Sequence, residues 1–402
     1  MKHLNKNSVR YFSSGESDGA SIEYIYVNYV VDPEIPGLQI KSEKSESYRI
    51  ISHDTDPNYR SIVLSHPNNE LLSFSPPESI PVEEFIKKNP EITDDIYINE
   101  AIEGTMIHLF YDPRIQSWEI ATKSAVGANY WYYRTQYKGI SPDAEQSTFR
   151  KMLMDAFRTT GDLNDTPFLQ YLPKEYSYTL VLKHSANHIV QSVQYPVTYL
   201  VAVYHICDNR AIYIPPVIYE EWDCFLNIRG IIEFPPYFED SVYYEYYKTQ
   251  FPYDRCMGYM ITNVRTGERC HIENAEYVKL RELRGNHANL QYQYLELRKK
   301  GLLNEFLREF PQYSNLFSAF YEQYRGFLIQ LHQCYVDYYI KKDGQRCPKR
   351  FFPLIYKLHH EVFIPSIATG KKRIMRKSEV NAFLDTLTPG FIMYYLNYTD
   401  TV

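Results

Sequence analysis

The residues with the greatest chemical potential stand in one short run, Glu100-Ala101-Ile102-Glu103-Gly104-Thr105-Met106-Ile107. A glycine followed by a threonine at the start of a strand lets a ligand approach the backbone closely, although a merely tight start to the strand has the same pattern. Lys123, in Trp118–Ser124, follows another strand, where a lysine either meets a phosphate or stays solvated. Cys256, Cys270 and His271 lie on or beside one hairpin, but a closed zinc site needs four ligands and free Cys is commonly buried, so no metal is expected there. His359-His360, His184 and His188 have no Cys or carboxylate partners at ligand spacing, and no Ser/His/Asp or Cys/His nucleophile arrangement stands out.

Two basic stretches remain. Lys279, Arg281, Arg284, Arg298, Lys299 and Lys300 alternate with Tyr292 and Tyr294, and Lys371, Lys372, Arg373, Arg376 and Lys377 form a compact run. Phosphate contacts combined with aromatic stacking suit single-stranded nucleic acid. A solvated helix face with Glu282 and Glu296 as internal partners is the plainer reading of the first stretch.

These groups need elements to hold them. β-branched and aromatic runs predict strands from Ile22 onward, at Tyr48–Ser52, Arg60–Ser65 and Leu71–Phe74, and Ser73-Phe74-Ser75-Pro76-Pro77 continues as a stiff extended connection. Met106–Tyr111 and Trp118–Thr122 flank the turn Asp112-Pro113-Arg114 as a hairpin. A helix is predicted at Thr148–Arg158, then strands at Tyr176–Leu182, Tyr199–Ile206 and Ala211–Ile214. A second hairpin joins Tyr259–Val264 to Glu268–Glu273 around Arg265-Thr266-Gly267. Beyond Asn274 the spacing turns helical, over Tyr277–Lys300, Leu302–Phe310, Asn315–Lys341 and, after Ser378 and Glu379, Val380–Leu387. Strands first and helices afterwards, without βαβ crossovers, give the α+β class.

The composition sets the outer bounds. With 44% hydrophobic and 23% charged residues over 402 positions, the chain is an ordinary folding sequence, and its length favours more than one domain. A formal charge of −6 excludes nucleic-acid binding by general attraction, so any such binding is local. Forty tyrosines serve cores and contact surfaces alike and name no function by themselves. The six cysteines form no CxxC pair, the first twenty residues have no apolar core of signal-peptide length, and no long uncharged apolar run follows. The expectation is a cytoplasmic protein with no membrane partner and a loose tail over residues 1–20.

Taken in order, several segments resemble the covalent nucleotidyltransferases, specifically phage-type RNA ligases with a helical C-terminal domain, and most nearly the RNA-ligase-like proteins of giant DNA viruses. The carrying segments are Ser73–Pro77, Ile102–Ile107, Trp118–Asn129, Tyr176–Val190, Gly258–Ile261 and Arg281–Asn286 through Tyr292. The resemblance implies an antiparallel-sheet nucleotidyltransferase domain of the ATP-grasp-like ligase kind at 21–275 and an all-helical domain at 276–402. It also implies a host-cytoplasm or virion location.

In that family a lysine of a Lys-x-Asp-Gly motif attacks the α-phosphorus of ATP, and here Ala101 stands at that place, with Glu103 for the Asp and Gly104 retained. Val181 takes the place of a strand Glu, and His188 that of an Arg. Met257, before Gly258 and Met260, replaces a Glu that would hold Mg²⁺ through oxygen, and His271 and Glu273 replace a pair of phosphate-binding lysines. Phosphoryl transfer rests on positioning and charge neutralisation, so these losses together imply a catalytically degenerate protein acting in RNA binding or scaffolding. Gly104, Lys123, Gly258 and Met260 are the expected remnants of the nucleotide pocket. Arg281, Arg284, Lys371, Lys372, Arg373, Arg376 and Lys377 are the expected contacts to single-stranded or tRNA-like RNA. No cofactor is expected. Two alternatives stand beside this: an active ligase using ATP and Mg²⁺ with a displaced lysine, Lys87, Lys88 or Lys123, and a structural or virion-associated component that binds other proteins.

Overall fold

The computed structural model describes residues 4–12, 23–32, 34, 38–41, 47–52, 54, 56, 59–130, 148–226, 228–343, 347–368 and 374–398. By contact the chain forms two compact units, one closing at Glu282 and the other opening at Leu283. Among the described residues no helix is long and apolar enough to cross a membrane.

The first unit carries the strands β1 (Leu4–Phe12), β2 (Glu23–Val31), β3 (Leu38–Lys41), β4 (Ser47–Ser52), β5 (Ser61–His66), β6 (Leu71–Phe74), β7 (Ile96–Glu100), β8 (Thr105–Asp112), β9 (Ser117–Ala121), β10 (Tyr176–Lys183), β11 (Val197–Cys207), β12 (Arg210–Ile214), β13 (Ile232–Glu233), β14 (Gly258–Asn263) and β15 (Arg269–Glu273). They make three sheets in the orders β1-β2-β12-β11-β10-β8-β9, β3-β4-β5-β6 and β15-β14-β7, with β13 beside β11. Every neighbouring pair is antiparallel except β11 and β13. The architecture is mixed α and β with antiparallel sheets and C-terminal helices, as the segregated pattern implies. One expectation is corrected: Leu4–Phe12, read as part of a loose tail, pairs along its whole length with β2.

Period-two alternation decides which side chains reach the site. In the small sheet, Ile96 and Ile98 of β7, Tyr259 and Ile261 of β14, and Cys270 and Ile272 of β15 share one apolar core with Phe85 of the helix Val82–Lys88. Their neighbours Tyr97 and Asn99, Met260 and Thr262, and Arg269 and His271 face a cavity on the other side. In the large sheet, Tyr178, Leu180 and Leu182 of β10 are buried with the helix Phe149–Ala156, which Thr148 caps by accepting the Lys151 N–H at 3.2 Å. Thr179 and Val181 point the opposite way, into the same cavity. Opposite them β11 bulges. Thr179 pairs with Ala202 and Leu180 with Leu200, so Val201 is the extra residue, and both Val201 and Ala202 line the cavity.

The second unit is helical. The segment Tyr277–Lys300, expected as one stretch, is two helices, Ala275–Arg284, whose residues up to Glu282 belong to the first unit, and Leu290–Lys300, because Gly285 takes φ +64° and Asn289 starts the next helix by accepting the Gln291 and Tyr292 N–H groups. The helices Leu303–Glu309, Ser314–Tyr335, Lys377–Thr386 and Pro389–Asn397 follow.

Candidate functional site

Between the large and the small sheet of the first unit lies a cavity of about 390 Å³, in the range that small-molecule sites occupy. Several positions picked out by the sequence converge on it: Ala101, Glu103, Gly104, Val181, Met257, Met260, His271 and Arg281 all line its wall. They come from β7 and the turn after it, from β10, from the β14–β15 hairpin and, for Arg281, from the helix Ala275–Arg284.

Ala101 is 4% exposed and donates its N–H to the Gly258 carbonyl at 2.9 Å, which ties the motif to β14. Gly258 is required there, since its φ is +129° and a Cβ would stand 2.0 Å from the Ile272 carbonyl oxygen. Gly104 is equally confined: a Cβ would meet the Leu182 carbonyl oxygen at 2.4 Å. Both glycines are placed by close backbone approach.

Glu103 is 4% exposed, and its carboxylate accepts from the Val190 and Gln191 N–H groups at 3.1 Å and from the Tyr277 hydroxyl. Asn187, in the same returning segment, donates to Thr105 at 2.7 Å. Burial pushes the Glu103 pKa up, against the pull of those donors and of nearby Lys183. Glu100 accepts from the Tyr253 hydroxyl and is also pushed up by burial. Lys183 donates to the Gln191 side chain at 2.5 Å, and burial lowers its pKa, opposed by Glu103 and Glu100. At this end the polar groups are satisfied by one another.

The other end is different. Arg60, just before β5, and Arg269, on β15, both line the cavity together with Tyr204, Tyr213 and Thr179. Arg269 donates through Nε to the Pro77 carbonyl at 2.8 Å, while its buried Nη2 has no hydrogen-bond partner in the protein. The same holds for the buried Thr179 Oγ1 and His271 Nε2. Burial, then repulsion from Arg60, pushes the Arg269 pKa down to about 10. Burial raises the Tyr204 and Tyr213 pKa values, so the phenols stay neutral and offer no counter-charge. Glu78 acts on Arg60 as an opposing charge.

Several expected residues lie elsewhere. Lys123 is not part of the wall: its side chain is 46% exposed and its ammonium pairs with Asp54 at 3.3 Å. Glu273, at the end of β15, is exposed and stands 3.8 Å from His271. Lys87 and Lys88 end the helix Val82–Lys88 outside the cavity, and Lys88 pairs with Glu84 and Glu268. His188 is not among the lining residues either. Arg284 is 0% exposed and donates to Gln293 at 2.8 Å and to Tyr313 at 2.9 Å, which corrects its expected role as an RNA contact: the guanidinium braces the second unit from inside. Arg376 and Lys377 begin the helix Lys377–Thr386, with the Arg376 N–H held by Glu379 at 3.0 Å. Lys371, Lys372 and Arg373 lie outside the described residues.

Sequence reading missed Arg60, Thr179, Arg269 and Lys183. Arg269 alone left a usable signal, because it precedes His271 by two on a predicted strand and therefore shares its face.

No family model and no curated protein matches the chain. Among solved structures it is similar to an archaeal ATP-dependent RNA ligase in two forms. Form 2 has a TM-score of 0.40 and 10% identity over 68% of this chain and 66% of that one, and form 1 a TM-score of 0.40 and 12% identity over 87% and 83%. It is also similar to a mutant RNA ligase of Naegleria gruberi with ATP and Mn, at a TM-score of 0.37 and 11% identity over 69% of this chain and 98% of that one. At such scores and identities no role is taken from these proteins.

Proposed function

We propose that the chain is an RNA-ligase-like binding protein that takes a phosphorylated ligand, a nucleotide or an RNA end, into the cavity without forming a covalent lysyl adduct. The observation that carries this reading is the composition of the wall: Ala101, Glu103, Gly104, Val181, Met257, Met260 and His271, all singled out by the resemblance, meet around one cavity, yet the described wall contains no lysine, and Ala101 brings only a methyl group to the place where the resemblance puts the nucleophile. A methyl group cannot attack phosphorus. The bases that do line it, Arg60, Arg269 and Arg281, bind anions and hold their protons too firmly to act as nucleophiles.

The alternative of a displaced lysine gains one specific candidate. Lys183 is partly buried, near two wall carboxylates, and its pKa is lowered, which is what activates a lysine amine. Lys88 and Lys123 are instead held in exposed ion pairs. Incubating the protein with α-labelled ATP and Mg²⁺ or Mn²⁺, followed by denaturing electrophoresis, separates the readings. No label is expected to survive denaturation; label that survives and is abolished by Lys183→Ala overturns the reading.

For longer RNA, the run from Lys371 to Lys377 and Arg281 remain the proposed contacts, and Arg284 is left out because it is buried. Reversal of the run to Glu should lower the single-strand salt slope by roughly 0.7 per lost phosphate contact. An unchanged slope removes the run from the interface.

A further inference from the structure

The family resemblance implies a divalent metal beside the phosphates, and the donor set of this cavity does not fit one. Mg²⁺ demands hard oxygen ligands in near-octahedral geometry. Met257 offers a thioether where a carboxylate would be needed, and the two wall carboxylates are engaged: Glu103 by two backbone N–H groups and Tyr277, Glu100 by Tyr253. Among the described residues no group of three or more His, Cys, Asp or Glu side chains is arranged to hold a metal ion.

Positive charge is supplied instead at the opposite end, by guanidinium groups. Arg60 and Arg269 are close enough to repel each other; Glu78 offsets part of this at Arg60, and no carboxylate is among the causes that act on Arg269, so an anion between the two would relieve the rest. Thr179 is fully buried, pairs across the sheet with Ala202 on one side and His108 on the other, and lies where the charge of Arg60 is also felt by His108. Its Oγ1 and the Arg269 Nη2 are therefore unpartnered polar atoms on the wall beside a pair of like charges. Buried donors of this kind are otherwise nearly always satisfied.

We propose that the cavity holds its ligand as a metal-free phosphomonoester, with Arg269, Arg60 and Thr179 binding the phosphate in the role that a divalent cation fills in metal-dependent sites. This rests on the reading that the cavity takes a phosphorylated ligand, and it specifies the form of that ligand. A guanidinium presents a planar fork of donors that matches two phosphate oxygens, so a dianionic monoester is bound bidentately without a bridging ion. The rest of the ligand extends along Met260, Val181 and Met257, a soft apolar wall suited to a base or a sugar face.

Calorimetric titration of the full chain with AMP, adenosine, ATP and a 5′-phosphorylated oligonucleotide, each in EDTA and in Mg²⁺, tests this. AMP affinity is expected to change less than about twofold between EDTA and Mg²⁺, and adenosine to bind at least about tenfold more weakly. Arg269→Gln and, separately, Arg60→Gln should each weaken AMP by about tenfold or more while leaving adenosine unchanged, with melting curves confirming that both variants fold. The two phosphate sources are distinguished by whether AMP or the oligonucleotide binds more tightly. AMP binding that requires Mg²⁺, or equal affinity for AMP and adenosine, overturns the metal-free phosphate site while leaving the cavity a binding site. Failure of every phosphorylated probe to bind overturns the underlying reading as well.

Discussion

The two ends of the cavity share one wall and do opposite things with polar groups. Around Glu103, each charge and donor meets another protein group, through Val190, Gln191, Tyr277, Tyr253 and Lys183. Around Arg269, like charges stand together and polar atoms lack protein partners. The first arrangement is what folding stability selects, and the second is what a ligand repairs. On the proposed reading, Glu103 serves the fold while binding rests on Arg60, Arg269 and Thr179.

Among substitutions read at neutral pH, the largest effect expected from breaking this contrast is at the satisfied end. Glu103→Ala leaves two buried N–H groups and a phenol unpaired, and urea denaturation should show a loss of about 3 kcal/mol. A loss no greater than that of an exposed Glu→Ala control would mean that the carboxylate does not brace the fold. Gly258→Ala comes next, at about 2 kcal/mol, because its Cβ collides with the Ile272 carbonyl and its φ is positive. Unchanged stability there would show that β14 and β15 can separate freely.

Acid should act on the arginine end through His108. This ring is fully buried beside Arg60, and burial pushes its pKa down to about 3, so the unfolded chain takes up the proton first. Stability from this group is present above its ordinary value of 6.5 and is lost as pH falls toward 3, by up to about 1.4 kcal/mol per pH unit. Glu100 and Glu103 have the opposite sign: raised by burial, they favour the folded state less as pH climbs above 4.5. The difference between the wild type and His108→Gln isolates the histidine, and parallel pH profiles for the two would refute its neutral burial. The smallest effect is expected at Lys123, which lies outside the wall: Lys123→Ala should leave AMP affinity within about twofold, since an exposed ion pair such as that with Asp54 contributes little. A tenfold loss would place it in the site after all.

Local patterns in the sequence carried much of this fold. The hairpins around Asp112-Pro113-Arg114 and Arg265-Thr266-Gly267, the helix capped by Thr148 and the strands Leu71–Phe74 and Tyr176–Lys183 were legible because turn chemistry and alternation are local. So were the wall positions from Ala101 to Gly104, Val181, Met257 and His271, since each belongs to a recognisable segment. Arg60 and Thr179 were not, because only the stacking of separate sheets brings β5 and β10 to one cavity. Arg284 misled for a related reason: on a helix its charge suggests solvent, but Gln293 and Tyr313 satisfy it internally. The strand Leu4–Phe12 was missed because polar residues gave no apolar alternation, and its pairing with β2 supplies the order instead.

The most direct measurement is a crystal structure of the protein with AMP in EDTA. A phosphate held between Arg60, Arg269 and Thr179, with no covalent bond to any side chain and no metal ion, is the expected result. A phosphate seated beside Ala101 and Met257, or reached only through a metal ion, would contradict it.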